Sequence, residues 1–138
     1  METVVVGVDG SRASAAALEW AGRYAERIGA RVLGVTAWHS PASAMWSIDA
    51  TELQSAAEEV LEGALKEARS AHPDVEYSGI VDEGLAAPVL LTAAGTADLL
   101  VVGSRGHGAF AGMLIGSVSM HCVHHARCPV VVVPDEGR

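Results

Sequence analysis

The chain has 138 residues and reads as one domain over 1–138, long enough to bury a core without disulfides or a structural metal. Nine Lys plus Arg against seventeen Asp plus Glu give a formal charge of −8, with the basic residues scattered rather than striped. That balance argues against a nucleic-acid partner, and no apolar run approaches the roughly 18 to 20 residues of a membrane helix, so no membrane partner is expected.

Half of the residues are hydrophobic and only 4% aromatic, which points to a core of Val, Leu, Ile and Ala packed in layers. Met1-Glu2-Thr3 passes straight into a strand pattern without a basic, then apolar, leader, and a cytoplasmic location is expected. Cys122 and Cys128 lie so close in sequence that a disulfide would close only a tiny loop, so reduced thiols are expected.

The first element is Thr3 to Val8, a β-branched run too apolar to have a wet face, hence a central strand. After Asp9-Gly10-Ser11, apolar residues recur at helical spacing from Ala17 to Ile28, and Gly29 stands where a helix stops. Arg31 to Thr36 reads as a second strand, Trp38 to Ile48 as a loop, and Leu53 to Ala68 as a helix with an apolar stripe that includes Ala57, Val60, Leu61 and Leu65. His72-Pro73 ends that helix. Val75 to Val81 gives a third strand, and Gly84 to Gly95 holds a short helix with Pro88 in its first turn. Asp98 to Val102 is a fourth strand, Ser117 to about Ala126 a helix, and Pro129 to Pro134 a fifth strand. Strict alternation of strand and helix implies an α/β fold, an open parallel sheet with right-handed crossovers and helices on both faces. Ligands in such sheets bind outside the carboxyl ends of the strands, where the strand order reverses. Asp9 and Gly103 both stand at such ends.

Between the fourth strand and the helix that follows lies a glycine-punctuated loop from Gly103 to Ser117, free of Asp and Glu. Glycine admits a ligand close to the backbone, and the first amides of a helix are unpaired donors for an anion. The lysine-bearing phosphate loop is excluded because Gly116 is followed directly by Ser117. The dinucleotide fingerprint is excluded because the first turn reads Gly7-Val-Asp9-Gly10 and the second strand ends in Thr36-Ala37-Trp38, without an acidic residue.

The spacing that remains is Gly103-x2-Gly106-x9-Gly116-Ser117, and with it the chain resembles the universal stress protein family. The likeness extends over almost the whole chain, through Asp9-Gly-Ser at the first turn, Ala97-Asp98 to Gly106, Gly116-Ser117-Val118-Ser119, and Cys128-Pro129 followed by four valines. The resemblance implies an open five-stranded Rossmann-like sheet of order 3-2-1-4-5 and the family's ATP-binding subclass, with Mg2+ or Mn2+ held mainly by the phosphates. It implies that Gly103, Gly106 and Gly116 let a ligand approach the backbone. Ser117, Val118 and Ser119 would offer amides and two hydroxyls to the β- and γ-phosphates. Asp9 would stand near the ribose or a metal's water shell, Val35, Thr36 and Ala37 would frame the adenine, and Val102 would pack on it. Arg105, His107 and Gly108 join this set as loop residues beside the phosphates, the first two as cations. Phe110 to Ile115 is either a lid or a segment packing the loop onto the sheet.

Other residues invite readings of their own. His121, Cys122 and His125, with Cys128 nearby, have helical spacing suited to zinc, against which Val118, Cys122 and Ala126 form an apolar face that makes Cys122 a core residue. Ser11 and Ser14 read as helix caps rather than nucleophiles. Glu58, Glu59 and Glu62 read as a solvated helix face, and Trp38 and Trp46 as base-stacking or surface residues. The loop lacks the groups that position water and neutralise a γ-phosphate, so no catalytic residue is assigned and a nucleotide-dependent switch or sensor with at most slow ATP turnover is expected. A slow ATPase or autophosphorylating enzyme, and a cyclic AMP binder, are the alternatives. A bare four-valine edge strand would aggregate, and the resemblance implies a homodimer through Pro129 to Pro134.

Overall fold

The computed structural model describes residues 1–40, 49–106 and 115–135. Five strands form one parallel sheet: β1 (Thr3–Gly7), β2 (Arg31–Trp38), β3 (Glu76–Glu83), β4 (Leu99–Gly103) and β5 (Val130–Val133), in the order β3-β2-β1-β4-β5. The helices are α1 (Arg12–Ile28), α2 (Ala50–Ala71), α3 (Ala86–Ala93), extended by a short 3-10 turn over Ala94–Thr96, and α4 (Ser117–His125). The expected architecture and strand order are those observed. β2 runs on to Trp38, two residues beyond the predicted end, because its ladder with β3 continues through Ala37↔Asp82 and Trp38↔Glu83.

Alternate residues of the central strands feed two apolar layers. Val4, Val6, Val32 and Val101 point toward α1 and α2, where Ala17, Ala21, Leu61 and Leu65 meet them. Val5, Val35, Leu100 and Val102 point the other way, toward α3 and α4, where Leu90 and Cys122 close the layer. Complete burial on both sides explains why these strands read as unbroken apolar runs. In α1, Ser11 caps the start by accepting from the Ser14 amide, and Gly29 ends it at φ 74°, a left-handed position that costs glycine no steric penalty. On α4 the buried face is Ser119, Cys122 and, in part, Ala126. Val118, predicted to share that face, is instead partly exposed, because the sheet-facing stripe is set by Ser119 one residue on.

Helix α2 comes unusually close to the sheet. Gly34 and Gly79 are register partners on β2 and β3, and a Cβ on Gly79 would lie 2.8 Å from Leu61 and 2.9 Å from Leu65. The paired glycines form a groove that seats both leucines.

The end of α2 is tied to α1 by a buried histidine. His72 Nε2 lies 3.1 Å from both carboxylate oxygens of Glu19, and Nδ1 lies 3.4 Å from Glu26, while Arg23 pairs with Glu19 at 3.5 Å. Burial alone would lower the imidazole pKa, but the hydrogen bonds and charges of Glu19 and Glu26 outweigh it, and the pKa is raised. Burial, and then the same two carboxylates, push the neighbouring Tyr77 hydroxyl up to about 12. Because the folded pKa of His72 exceeds the unfolded one, this contribution is complete below the unfolded value and is lost as pH rises through the folded value. Thermal unfolding midpoints measured from about pH 6 to about pH 8 should therefore fall in the wild type, and the His72→Gln variant should show a flatter profile.

Candidate functional site

A cavity of about 710 Å³ opens at the carboxyl ends of β1, β2 and β4, where the strand order reverses. The size suits a small-molecule ligand. Asp9, Val35, Thr36, Ala37, Val102, Gly103, Arg105, Gly106, Gly116, Ser117, Val118 and Ser119 all line it. Of the residues assigned from the sequence, His107 and Gly108 lie outside the described residues, as do Phe110 to Leu114 of the proposed lid and Trp46. The described wall also contains residues that sequence reasoning missed: His39 just beyond β2, Ala56 on α2, and Gly84, Ala86 and Leu90 around α3. Val60, placed in the core stripe of α2, faces this wall and is 37% exposed. A longer second strand would have signalled His39. The contributions of α2 and α3 depend on how the helices cross the sheet and leave no mark in spacing.

The turn after β1 is held by short-range bonds. The Val8 amide donates to Val35 O at 2.9 Å, and buried Thr36 returns its hydroxyl to Val8 O at 2.8 Å, so β1 and β2 end in register at the cavity floor. Gly10, at φ 82°, turns the chain into α1. Asp9 accepts at Oδ1 from the Ser11 amide at 2.9 Å and from the Ser11 hydroxyl. Ser14 donates to Ser11 O at 3.1 Å and accepts from the Asp9 amide at 3.3 Å. Both serines are thus engaged in capping the helix and bracing Asp9. Asp9 is the sole carboxylate of the described cavity wall.

The three motif glycines are required for close approach, since among the described glycines only Gly10, Gly29 and Gly84 have positive φ. Their neighbours differ. A Cβ on Gly103 would lie 2.6 Å from the Ala13 carbonyl carbon, so this glycine, which also lines the cavity, admits the backbone of α1. A Cβ on Gly106 would meet Asp9 Oδ2 at 2.7 Å, which makes this glycine the spacer between the loop and the Asp9 carboxylate. Gly116 donates to Ser104 O, and a Cβ there would lie 3.3 Å from Arg105 Cα.

Gly116 is the N-cap of α4, and the first intrahelical bond runs from the Met120 amide to Gly116 O at 3.0 Å. The amides of Ser117, Val118 and Ser119 precede that bond and stand at the positive end of the helix dipole, facing the cavity. The two hydroxyls are not equivalent. Ser117 is exposed, whereas buried Ser119 donates its hydroxyl hydrogen to Gly103 O, which commits it to the fold and removes it as a donor to an anion. Arg105 lies 4.0 Å from Asp135, which also faces Arg12 at 3.9 Å. Trp38 ends β2 and is absent from the described cavity wall. Cys122 is fully buried, and burial pushes its thiol up, so it cannot join His121 and His125 as a zinc ligand.

Sheet order and cavity together define a Rossmann-like α/β protein with a cavity at its topological switch point. The family model of the universal stress protein family matches residues 1–134, and the chain belongs to that family. It is 36% identical over 98% of its length to universal stress protein Rv1996 of Mycobacterium tuberculosis and 39% identical over 94% to universal stress protein Rv2623 of the same organism. The chain spans about half the length of these curated relatives, 49% and 44% respectively. Among solved structures it resembles a universal stress protein in complex with cAMP, with a TM-score of 0.74, 29% identity and 98% of each chain covered. The fold also matches a family protein of Arabidopsis thaliana solved with AMP bound, with a TM-score of 0.72, 22% identity, and 99% and 93% of the two chains covered.

The different neighbours of the glycines separate folding from binding. Gly103→Ala should lose about 1–3 kcal/mol in urea denaturation, because backbone at Ala13 has to move. Gly106→Ala should lose less than half as much, since it meets an exposed side chain.

Proposed function

We propose that the chain binds ATP in this cavity and acts as a nucleotide-dependent switch or sensor in the stress response, with at most slow turnover. The observation that carries this reading is the convergence, around one cavity, of the first-turn amides of α4 with the Asp9 turn and the apolar strand ends. The relative solved with cAMP supports an adenine nucleotide as the ligand class. Val35, Thr36, Ala37 and Val102 frame the adenine, with Ala56 and Val60 of α2 extending the apolar wall. The phosphates run over Gly103, Gly106 and Gly116 to the amides of Ser117, Val118 and Ser119, with the Ser117 hydroxyl as an added donor. Arg105 stands at the rim, and the reading extends along the loop to His107 and Gly108.

Mg2+ or Mn2+ would neutralise phosphate charge in such a complex. The donor set fits an ion held mainly by the nucleotide, because the described wall supplies one carboxylate, Asp9, already bonded at Oδ1 to Ser11. Hydrolysis requires a positioned water and a fixed cation on the γ-phosphate. The described wall supplies a single carboxylate, Asp9, and a single guanidinium, Arg105, which supports holding ATP over consuming it. The cAMP-bound relative favours cyclic AMP as the second reading.

β5 is the sheet edge beyond β4, and three of its four valines are only half-buried, which supports pairing with the same strand of a second copy. The free thiols Cys122 and Cys128 fit a reducing, cytoplasmic setting.

Mass spectrometry of the co-purifying nucleotide, followed by competition between ATP and cyclic AMP, tests the ligand. ATP is expected to win, and Gly116→Asp should weaken it at least about tenfold by placing a carboxylate at the phosphate end. Undiminished affinity in that variant removes the phosphate site, while turnover of several per second that Asp9→Ala abolishes favours the enzyme. Light scattering of Val131→Asp should report monomer or aggregate, and an unchanged dimer refutes pairing through β5.

A further inference from the structure

The exposed side of α4 carries His121 and His125 one helical turn apart, their ring centroids 4.8 Å apart and their planes inclined by 36°. Residues at i and i+4 share a stripe of helix surface, so both rings project over the same patch of solvent. We infer that this pair is a chelating site for a divalent transition-metal ion of the copper, nickel and zinc group, bound by one nitrogen from each ring and by water in the remaining positions.

The geometry fits without movement of the backbone. A metal–imidazole bond of about 2.1 Å puts the ion about 3.2 Å from each ring centre, and ligand angles between square and tetrahedral then require centres about 4.6 to 5.3 Å apart. The observed 4.8 Å lies inside that interval. Turning the rings about their side-chain torsions is enough to aim one nitrogen of each at a common point. Cys122 does not take part, being fully buried beneath the helix. Among the described residues no cluster of three or more His, Cys, Asp or Glu side chains could hold a metal, so these residues supply two ligands and water fills the other positions. Imidazole donors select copper, nickel and zinc over magnesium and calcium, and copper binds most tightly in the usual order of divalent ions.

The site is distinct from the cavity, whose described wall includes neither histidine. It begins one turn after Ser117, on the same stripe, so an ion there clips together the second half of the helix whose first turn faces the cavity. Anything that binds the folded helix and not the unfolded chain stabilises it by mass action.

The test uses the untagged full chain, stripped of nucleotide, titrated calorimetrically with CuCl2, NiCl2 and ZnCl2 in turn. One ion per chain is expected, with copper tighter than nickel. His121→Ala and His125→Ala should each weaken nickel at least about tenfold, because a chelate becomes a single ligand, and His124→Ala should change it less than about twofold. Nickel should raise the unfolding midpoint of the wild type and of His124→Ala, and leave that of the double variant His121→Ala/His125→Ala unchanged. Circular dichroism verifies that the variants keep their helices. Wild-type affinity in the double variant, equal losses in His124→Ala and His121→Ala, or one ion per two chains would each overturn the assignment.

Discussion

The constraint on which the site depends is the backbone contact between Gly103 and Ala13. Backbone of α1 lies where a side chain at the end of β4 would begin, so the helix reaches the sheet only because that position has no Cβ. From the other side, Ser119 donates its hydroxyl to the carbonyl of Gly103, which fixes the first turn of α4 against the same residue. The next amide, that of Ser104, donates to Val133 O at 2.7 Å and holds β5, and the Ser104 carbonyl receives the amide of Gly116. Two consecutive residues thereby set the positions of two helices, a strand and the end of the glycine loop. The Asp9 turn, which leads into α1, and the first turn of α4 face one cavity as a result.

Close helix-to-sheet packing is a general feature of this chain. The register pair Gly34 and Gly79 seats Leu61 and Leu65 of α2, and Gly7 faces Leu90 of α3. A core with few aromatics has little side-chain volume with which to span the roughly 10 Å between layers, and removing Cβ atoms from the sheet brings the helices in. This same packing puts Ala56 and Val60 of α2 and Leu90 of α3 on the cavity wall.

The order of the elements was legible because each central strand is buried on both faces and each helix has a one-sided apolar stripe, two patterns that survive in a linear reading. The loop motif was legible for a related reason, since its glycines and serines sit at fixed offsets around a strand end and a helix start. What could not be read were distances between segments far apart in the chain. His72 appeared as a helix terminator, a role it keeps, but its contacts with Glu19 and Glu26 span 53 and 46 residues and arise only when α1 and α2 lie side by side. Gly103 lines the cavity where its motif spacing suggests, but the spacing cannot say that the same glycine also admits the backbone of α1. Ser119 was counted as a phosphate donor by its place at a helix start. Its burial, decided by the stripe that α4 turns to the sheet, gives its hydroxyl to the fold.

The register of β4 and β5 aligns Gly103 with Val133, so the strand that carries the motif glycine and the edge strand are immediate neighbours, about 4.8 Å apart. The mouth of the cavity and the rim of the sheet are therefore two sides of one hydrogen-bonded ladder, and a single bond, from the Ser104 amide to the Val133 carbonyl, spans the distance between them.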